Sequence, residues 1–235
     1  MRFKYTYTIM LAALLSAFYF GCSNDQPTSP IQQESSLNKS SSGTKVASTG
    51  TDHGFYWQNY VSGGSSTITF PSAGTYPGNF AVNYTNVGDV VAGKGWNPGA
   101  VRNVGYNVGS IGGSFNNFSV YGWTTNPLIE YYVCEFGSVV SGSQVGSLTS
   151  DGHNYTVYKH QQVNQPSIIG TATFWQYLSQ WGGSSKGANH VVSLANHFNY
   201  WNQHIGQMGA LNLQILEIEA YGNKTGSCNA TVWAQ

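Results

Sequence analysis

Charge is what this chain most conspicuously lacks. Nine Lys and Arg balance nine Asp and Glu over 235 residues, so charged residues make up 8% of it with no net charge, against about 25% in a usual soluble domain. No basic run follows the first few residues, so nothing is there to displace phosphate counterions, which excludes nucleic acid as a partner. Cysteine is scarce too, at three. The six histidines (His53, His153, His160, His190, His197 and His204) show no His-Glu-x-x-His spacing and have no paired cysteines nearby, which excludes the common zinc sites. No glycine-rich loop leads from a strand into a helix: Gly93-Lys94-Gly95 runs into Trp96, which argues against a nucleotide loop. No metal and no cofactor is expected. Cys134 and Cys228 leave their pairing open, because two thiols in a sequence do not establish proximity.

Aromatics and glycine are abundant. Sixteen Tyr, seven Trp and 29 Gly fit a turn-rich extracellular β protein better than a helical one. Arg2 and Lys4 precede an apolar run at residues 8–20 that is too short to span a bilayer comfortably, so residues 1–21 read as an export signal. The run closes on Tyr19-Phe20-Gly21-Cys22, similar to a bacterial lipoprotein cleavage box. Cys22 would then carry lipid and supply the sole membrane attachment; plain secretion is the alternative. Residues 22–50, with eight Ser between 23 and 50, hold too little apolar surface to offset chain entropy and read as a disordered tether. One folded domain is expected from Thr51 to Gln235.

Within that domain the dominant period is two. Phe80, Val82 and Tyr84 alternate with Ala81, Asn83 and Thr85, and Tyr155 and Val157 alternate with Asn154 and Thr156. Such runs, broken by turn clusters, predict many antiparallel strands in an all-β fold of two stacked sheets. Leu194, Phe198, Trp201 and Ile205 instead follow helical spacing and predict one short helix.

After Thr51 only seven acids remain: Asp52, Asp89, Glu130, Glu135, Asp151, Glu217 and Glu219. Several sit inside strand-like segments rather than in turns. Alternation puts Glu130 beside Tyr132 on one strand face, with Ile129, Tyr131 and Val133 on the other; it also puts Glu217, Glu219 and Tyr221 on one face. Two glutamates on aromatic faces suit a sugar cleft, since aromatic rings offer flat apolar platforms and glycosidic cleavage uses two carboxyl groups. Glutamates on the wet face of a sheet are the competing reading. The role of Glu217 is left open between a part in the site, acting on its neighbour Glu219 or on substrate, and a solvent-facing glutamate, the latter slightly favoured.

The run Asn126-Pro127-Leu128-Ile129-Glu130-Tyr131-Tyr132-Val133 resembles the nucleophile strand of glycoside hydrolase family 11 endo-β-1,4-xylanases. Further segments match in order: Phe55 to Tyr60, Val91 to Trp96, Tyr121-Gly122-Trp123, the hairpin with Asn164, Pro166, Ser167 and Ile168, Thr173 to Tyr177, Asn196 to Trp201, and Glu219-Ala220-Tyr221. The resemblance spans the whole domain from Thr51.

It implies a strongly curved β-jelly roll shaped like a half-closed hand, with xylan in the palm and no cofactor. A monomer is expected. Glu130 would be the nucleophile and Glu219 the acid/base of a retaining mechanism, each in a different protonation state at the same pH. Asp89, following Asn86-Val87-Gly88, matches the position that hydrogen-bonds the acid/base; an Asp there would keep the active protonation state down to lower pH than Asn does. Tyr60, Tyr121, Tyr132, Pro166, Gln176 and Tyr221 would contact substrate or the nucleophile. A related jelly-roll β-glucanase and a non-catalytic xylan-binding module are the alternatives. The chain departs from the family pattern at Gln161-Gln162-Val163, where an Arg is usual, at Leu213, where Tyr is frequent, and at residues 178–183.

Overall fold

A computed structural model of the chain describes residues 45–139 and 142–235. The export signal, Cys22 and the tether as far as residue 44 lie outside the described residues. Twelve strands and one helix account for most of the described residues. They are β1 (Lys45–Asp52), β2 (Phe55–Ser62), β3 (Ser65–Thr69), β4 (Asn79–Trp96), β5 (Asn103–Gly113), β6 (Asn117–Thr125), β7 (Ile129–Gly137), β8 (Ser143–Ser150), β9 (His153–Ser167), β10 (Gly170–Gln180), β11 (Asn189–Ser193), α1 (Leu194–His204) and β12 (Ala210–Ala234).

Two long strands make one hydrogen-bonded sheet into two layers. The first half of β4 pairs with β3 and its second half with β2. The first half of β12 pairs with β6, the second half with β5, and β4 flanks it on the other side throughout. Where β12 crosses between layers its register slips on both sides of Lys224. Gly222 and Asn223 take positive φ of 81° and 62° there, which is how a strand turns a corner between stacked sheets. The larger layer runs β1-β2-β4-β12-β6-β7-β10-β9-β8. Its pairing is antiparallel except for β10, which lies parallel to β7. A parallel neighbour matters for the site, because it sets Gln176 directly beside Glu130.

Alternation decides what each layer buries. Phe80, Val82, Tyr84, Tyr106, Phe118, Val120, Tyr131, Val133, Leu216 and Ile218 fill the space between layers. A second apolar cluster, including Val91, Tyr121, Trp123, Tyr132, Phe174, Leu213 and Ile215, lies on the opposite face of the larger layer. The helix buries Leu194, Phe198 and Trp201, as its spacing predicts, and also His197. Phe198 meets the Tyr131 ring edge-on at 5.2 Å.

Residues 45–50, assigned above to the tether, belong to β1 and pair with Trp57 to Ser62. Their recruitment is a backbone effect: Ala47, Ser48 and Thr49 keep exposed side chains, so nothing in their composition announces a strand. Cys134 and Cys228 are buried free thiols.

Candidate active site

Glu130 leaves β7 on the face away from the inter-layer core and is 7% exposed. Its Oε1 accepts hydrogen bonds from the Tyr121 hydroxyl at 2.9 Å and the Tyr132 hydroxyl at 3.1 Å, and its Oε2 accepts from the Gln176 amide at 2.6 Å. Strand register supplies all three donors: Tyr121 lies across from Tyr132, and Gln176 lies beside Glu130. The Trp123 indole donates to the Tyr121 oxygen, which leaves the Tyr121 proton for Glu130. Burial, and then the Glu130 charge, hold both tyrosines well above the usual phenol range, so they stay protonated donors.

Glu219 leaves β12 on the same side of the layer and is 4% exposed. Its Oε2 accepts from the Asn117 amide at 2.7 Å, while Ser119 donates to the Asn117 oxygen at 2.5 Å and so fixes that amide's orientation. Both carboxylates lie near enough to the Tyr121 and Tyr132 hydroxyls to raise them further. The two acids, 89 positions apart in sequence, therefore converge on one pair of tyrosines. Asp89 on β4 pairs in register with Tyr221, one diagonal step from Glu219 on the same face, and is 5% exposed.

Above these groups opens a cleft of about 400 Å³ whose walls include Tyr56, Tyr60, Asp89, Val91, Tyr121, Trp123, Glu130, Phe174 and Leu213, with Gln162, Pro166 and Ile168 from the β9–β10 hairpin. Tyr132, Gln176 and Glu219 are not among the lining residues and reach the cleft through Tyr121 and Glu130, with which they interact. A cleft floored by rings and backed by two buried carboxyls suits a chain of sugars and its cleavage by acid and nucleophile.

The family described as glycosyl hydrolases family 11 matches residues 52–231. The chain belongs to that family. Endo-1,4-β-xylanase B of Penicillium oxalicum is 44% identical over 180 residues, which cover 74% of this chain and 56% of that protein; the chain thus spans little more than half of that relative. Endo-1,4-β-xylanase 11A of Botryotinia fuckeliana is 38% identical over 235 residues, covering 96% of this chain and 97% of that one. Among solved structures, a chain from a structural comparison of two major endo-1,4-β-xylanases of Trichoderma reesei superposes with a TM-score of 0.66 at 35% identity, covering 76% of this chain and 97% of the other.

Against the family 11 expectations, Tyr60 and Pro166 line the cleft and Tyr121, Tyr132 and Gln176 hold Glu130. Tyr221 is half-buried outside the cleft lining, with the Lys224 ammonium 5.6 Å from its ring. Glu217 is fully buried at 0% exposure, which rules out the slightly favoured solvent-facing reading. Its strand is flanked by β4 and β6, with Gly93 and Ser119 as its paired neighbours. Asn117, Trp123 and Phe174 were not singled out from sequence. Alternation from Tyr121 places Asn117, Ser119 and Trp123 on the Glu130 side, and alternation from Gln176 does the same for Phe174, so the signal existed for all three. Ala47 and Thr49 also border the cleft, which the tether assignment had hidden.

Proposed function

We propose that this chain is an endo-1,4-β-xylanase that cleaves internal β-1,4-xylosidic bonds with retention of configuration. The observation that carries the reading is the buried pair of carboxyls, one held by three neutral donors and the other by an oriented amide, below an aromatic cleft. Relatives named endo-1,4-β-xylanase support the choice of polymer.

Glu130 attacks the anomeric carbon as the glycosidic C–O bond breaks, and the leaving oxygen takes the proton of Glu219. Glu219, now a carboxylate, removes a proton from water; the water oxygen attacks the anomeric carbon and releases Glu130. The sequence of steps needs carboxyls about 5 to 5.5 Å apart. Tyr121, Tyr132 and Gln176 spread the Glu130 charge before attack and fix the carboxylate in one orientation, which lowers the entropic part of the barrier. Tyr60 supports a xylose ring from β2.

Reducing ends released from xylan and from mixed-linkage glucan test the assignment. Xylan turnover should predominate, and Glu130→Ala should lose it while still binding the polymer; hydrolysis retained by that variant would overturn the mechanism. Residues 1–21 direct export in this reading, and Cys22 is the lipid acceptor. Expression of the full chain in a bacterium fed labelled palmitate should label the wild type and not Cys22→Ser; an unlabelled wild type removes Cys22 as a lipid acceptor, and wild type recovered free in the medium then marks plain secretion.

A further inference from the structure

Gln162 stands where the resemblance leads one to expect an arginine, and its contacts give it a defined place. It lies half-buried on β9, lines the cleft, and donates from Nε2 to Oε1 of Gln176 at 3.3 Å. Gln176 in turn donates to Oε2 of Glu130 at 2.6 Å. An ionised carboxylate only accepts, so the NH2 end of Gln176 must face Glu130, and its carbonyl end must then find a donor elsewhere. Gln176 is 4% exposed, which leaves little water to serve. The irregularity between Ala172 and Phe174 sets Gln162 across from Phe174 and diagonal to Gln176, within side-chain reach.

We propose that Gln162 is a positioning residue: it locks the Gln176 amide with its NH2 end toward Glu130 and thereby couples the β9–β10 hairpin to the alignment of the nucleophile. The inference rests on the xylanase reading above. What the site requires from position 162 is a donor, not bulk. A side chain that can only accept draws the Gln176 NH2 to itself and turns the amide oxygen onto Glu130, replacing an attraction with a repulsion.

Three variants separate donor polarity from packing. Gln162→Arg keeps a donor, Gln162→Met keeps the size without one, and Gln162→Glu offers only acceptors at neutral pH. Each is checked for an unchanged melting transition. Two readouts are taken: kcat and KM on xylan, and the rate of covalent capture by a 2-deoxy-2-fluoro-xylobioside with a dinitrophenolate leaving group, followed by intact mass. Capture reports attack by Glu130 alone. Gln162→Arg should stay within about threefold of wild type with its acid limb moved to lower pH, because its charge favours ionised Glu130. Gln162→Met should capture about 3- to 10-fold more slowly, the size of one neutral hydrogen bond, and Gln162→Glu about 100-fold more slowly, with KM little changed in each.

Equal losses in all three variants, a loss confined to KM, or capture by Gln162→Glu at the wild-type rate would overturn the positioning role. A wild-type protein that is neither captured nor active on xylan overturns the xylanase reading itself, which is a different result from an active wild type with indifferent variants.

Discussion

A nucleophilic carboxylate is useful only if it points one way, and three donors from β6, β7 and β10 restrict Glu130 to one rotamer without supplying a positive charge. Neutral donors are the better choice here. A cation beside Glu130 would stabilise it more before attack than after, when its charge passes into a covalent bond. Asp89 belongs to the same scale. If it hydrogen-bonds Glu219 in the proposed mechanism, replacing Asp by Asn puts an amide where a second carboxyl stood and removes one acceptor for the proton that Glu219 delivers. Asp89→Asn should then move the pH optimum of xylan hydrolysis upward by about one unit; a stationary profile would remove Asp89 from the acid/base machinery.

Elements rather than single residues hold the two faces of β7 in place. The face opposite Glu130 carries Tyr131, whose ring meets Phe198 at 5.2 Å and Trp201 at 6.0 Å on the helix. Asp151 accepts from the Ser193 backbone N–H at 2.8 Å and from its hydroxyl at 2.6 Å, which ties down the residue before the helix and puts negative charge near its positive end. The helix therefore acts as a clamp on the strand that bears Glu130. Trp201 is fully buried, so Trp201→Ala should cost about 3 to 5 kcal/mol by chemical denaturation. Loss of the clamp should slow turnover well below the denaturation midpoint. A variant with unaltered stability would show that the helix packs more loosely than its contacts indicate.

At the scale of the molecule, two buried titrating groups unrelated to the cleft set opposing pH slopes. Glu135 is 1% exposed and accepts from the Tyr106 hydroxyl at 2.6 Å and the Tyr155 hydroxyl at 2.8 Å. Burial outweighs those bonds and raises its pKa from 4.5 to about 7. Its contribution to stability is therefore complete below pH 4.5 and is lost as pH rises through 7. His197, on the helix and edge-on to Tyr155 at 4.7 Å, is lowered by burial from 6.5 to about 3. A histidine buried neutral acts in reverse: its contribution is complete above pH 6.5 and is lost as pH falls toward 3. Between pH 4.5 and 6.5 the two slopes cancel, each being about 1.4 kcal/mol per pH unit. Urea midpoints for the wild type should be flat across that window. Glu135→Gln should leave stability rising with pH there, and His197→Phe should leave it falling. Parallel profiles in all three proteins would refute the assignment.

Much of this was legible before any fold was known. Period-two runs gave the strands, the spacing of Leu194, Phe198 and Trp201 gave the helix, and the motif around Glu130 gave the family, because each depends on residues close together in sequence. The strand at residues 45–50 was not legible, since backbone pairing to β2 needs no particular side chains. The burial of Glu217 was not legible, because alternation tells which face a residue takes but not whether that face is wet. The convergence of Glu130 and Glu219 on Tyr121 and Tyr132, the amide pair Gln162–Gln176 and the burial of Glu135 and of His197 were decided only by tertiary structure. They depend on which strands become neighbours, and in particular on the parallel placement of β10 against β7 and the bend of β12 between layers. Local chemistry fixed what each strand offers, whereas the long-range register fixed what it meets.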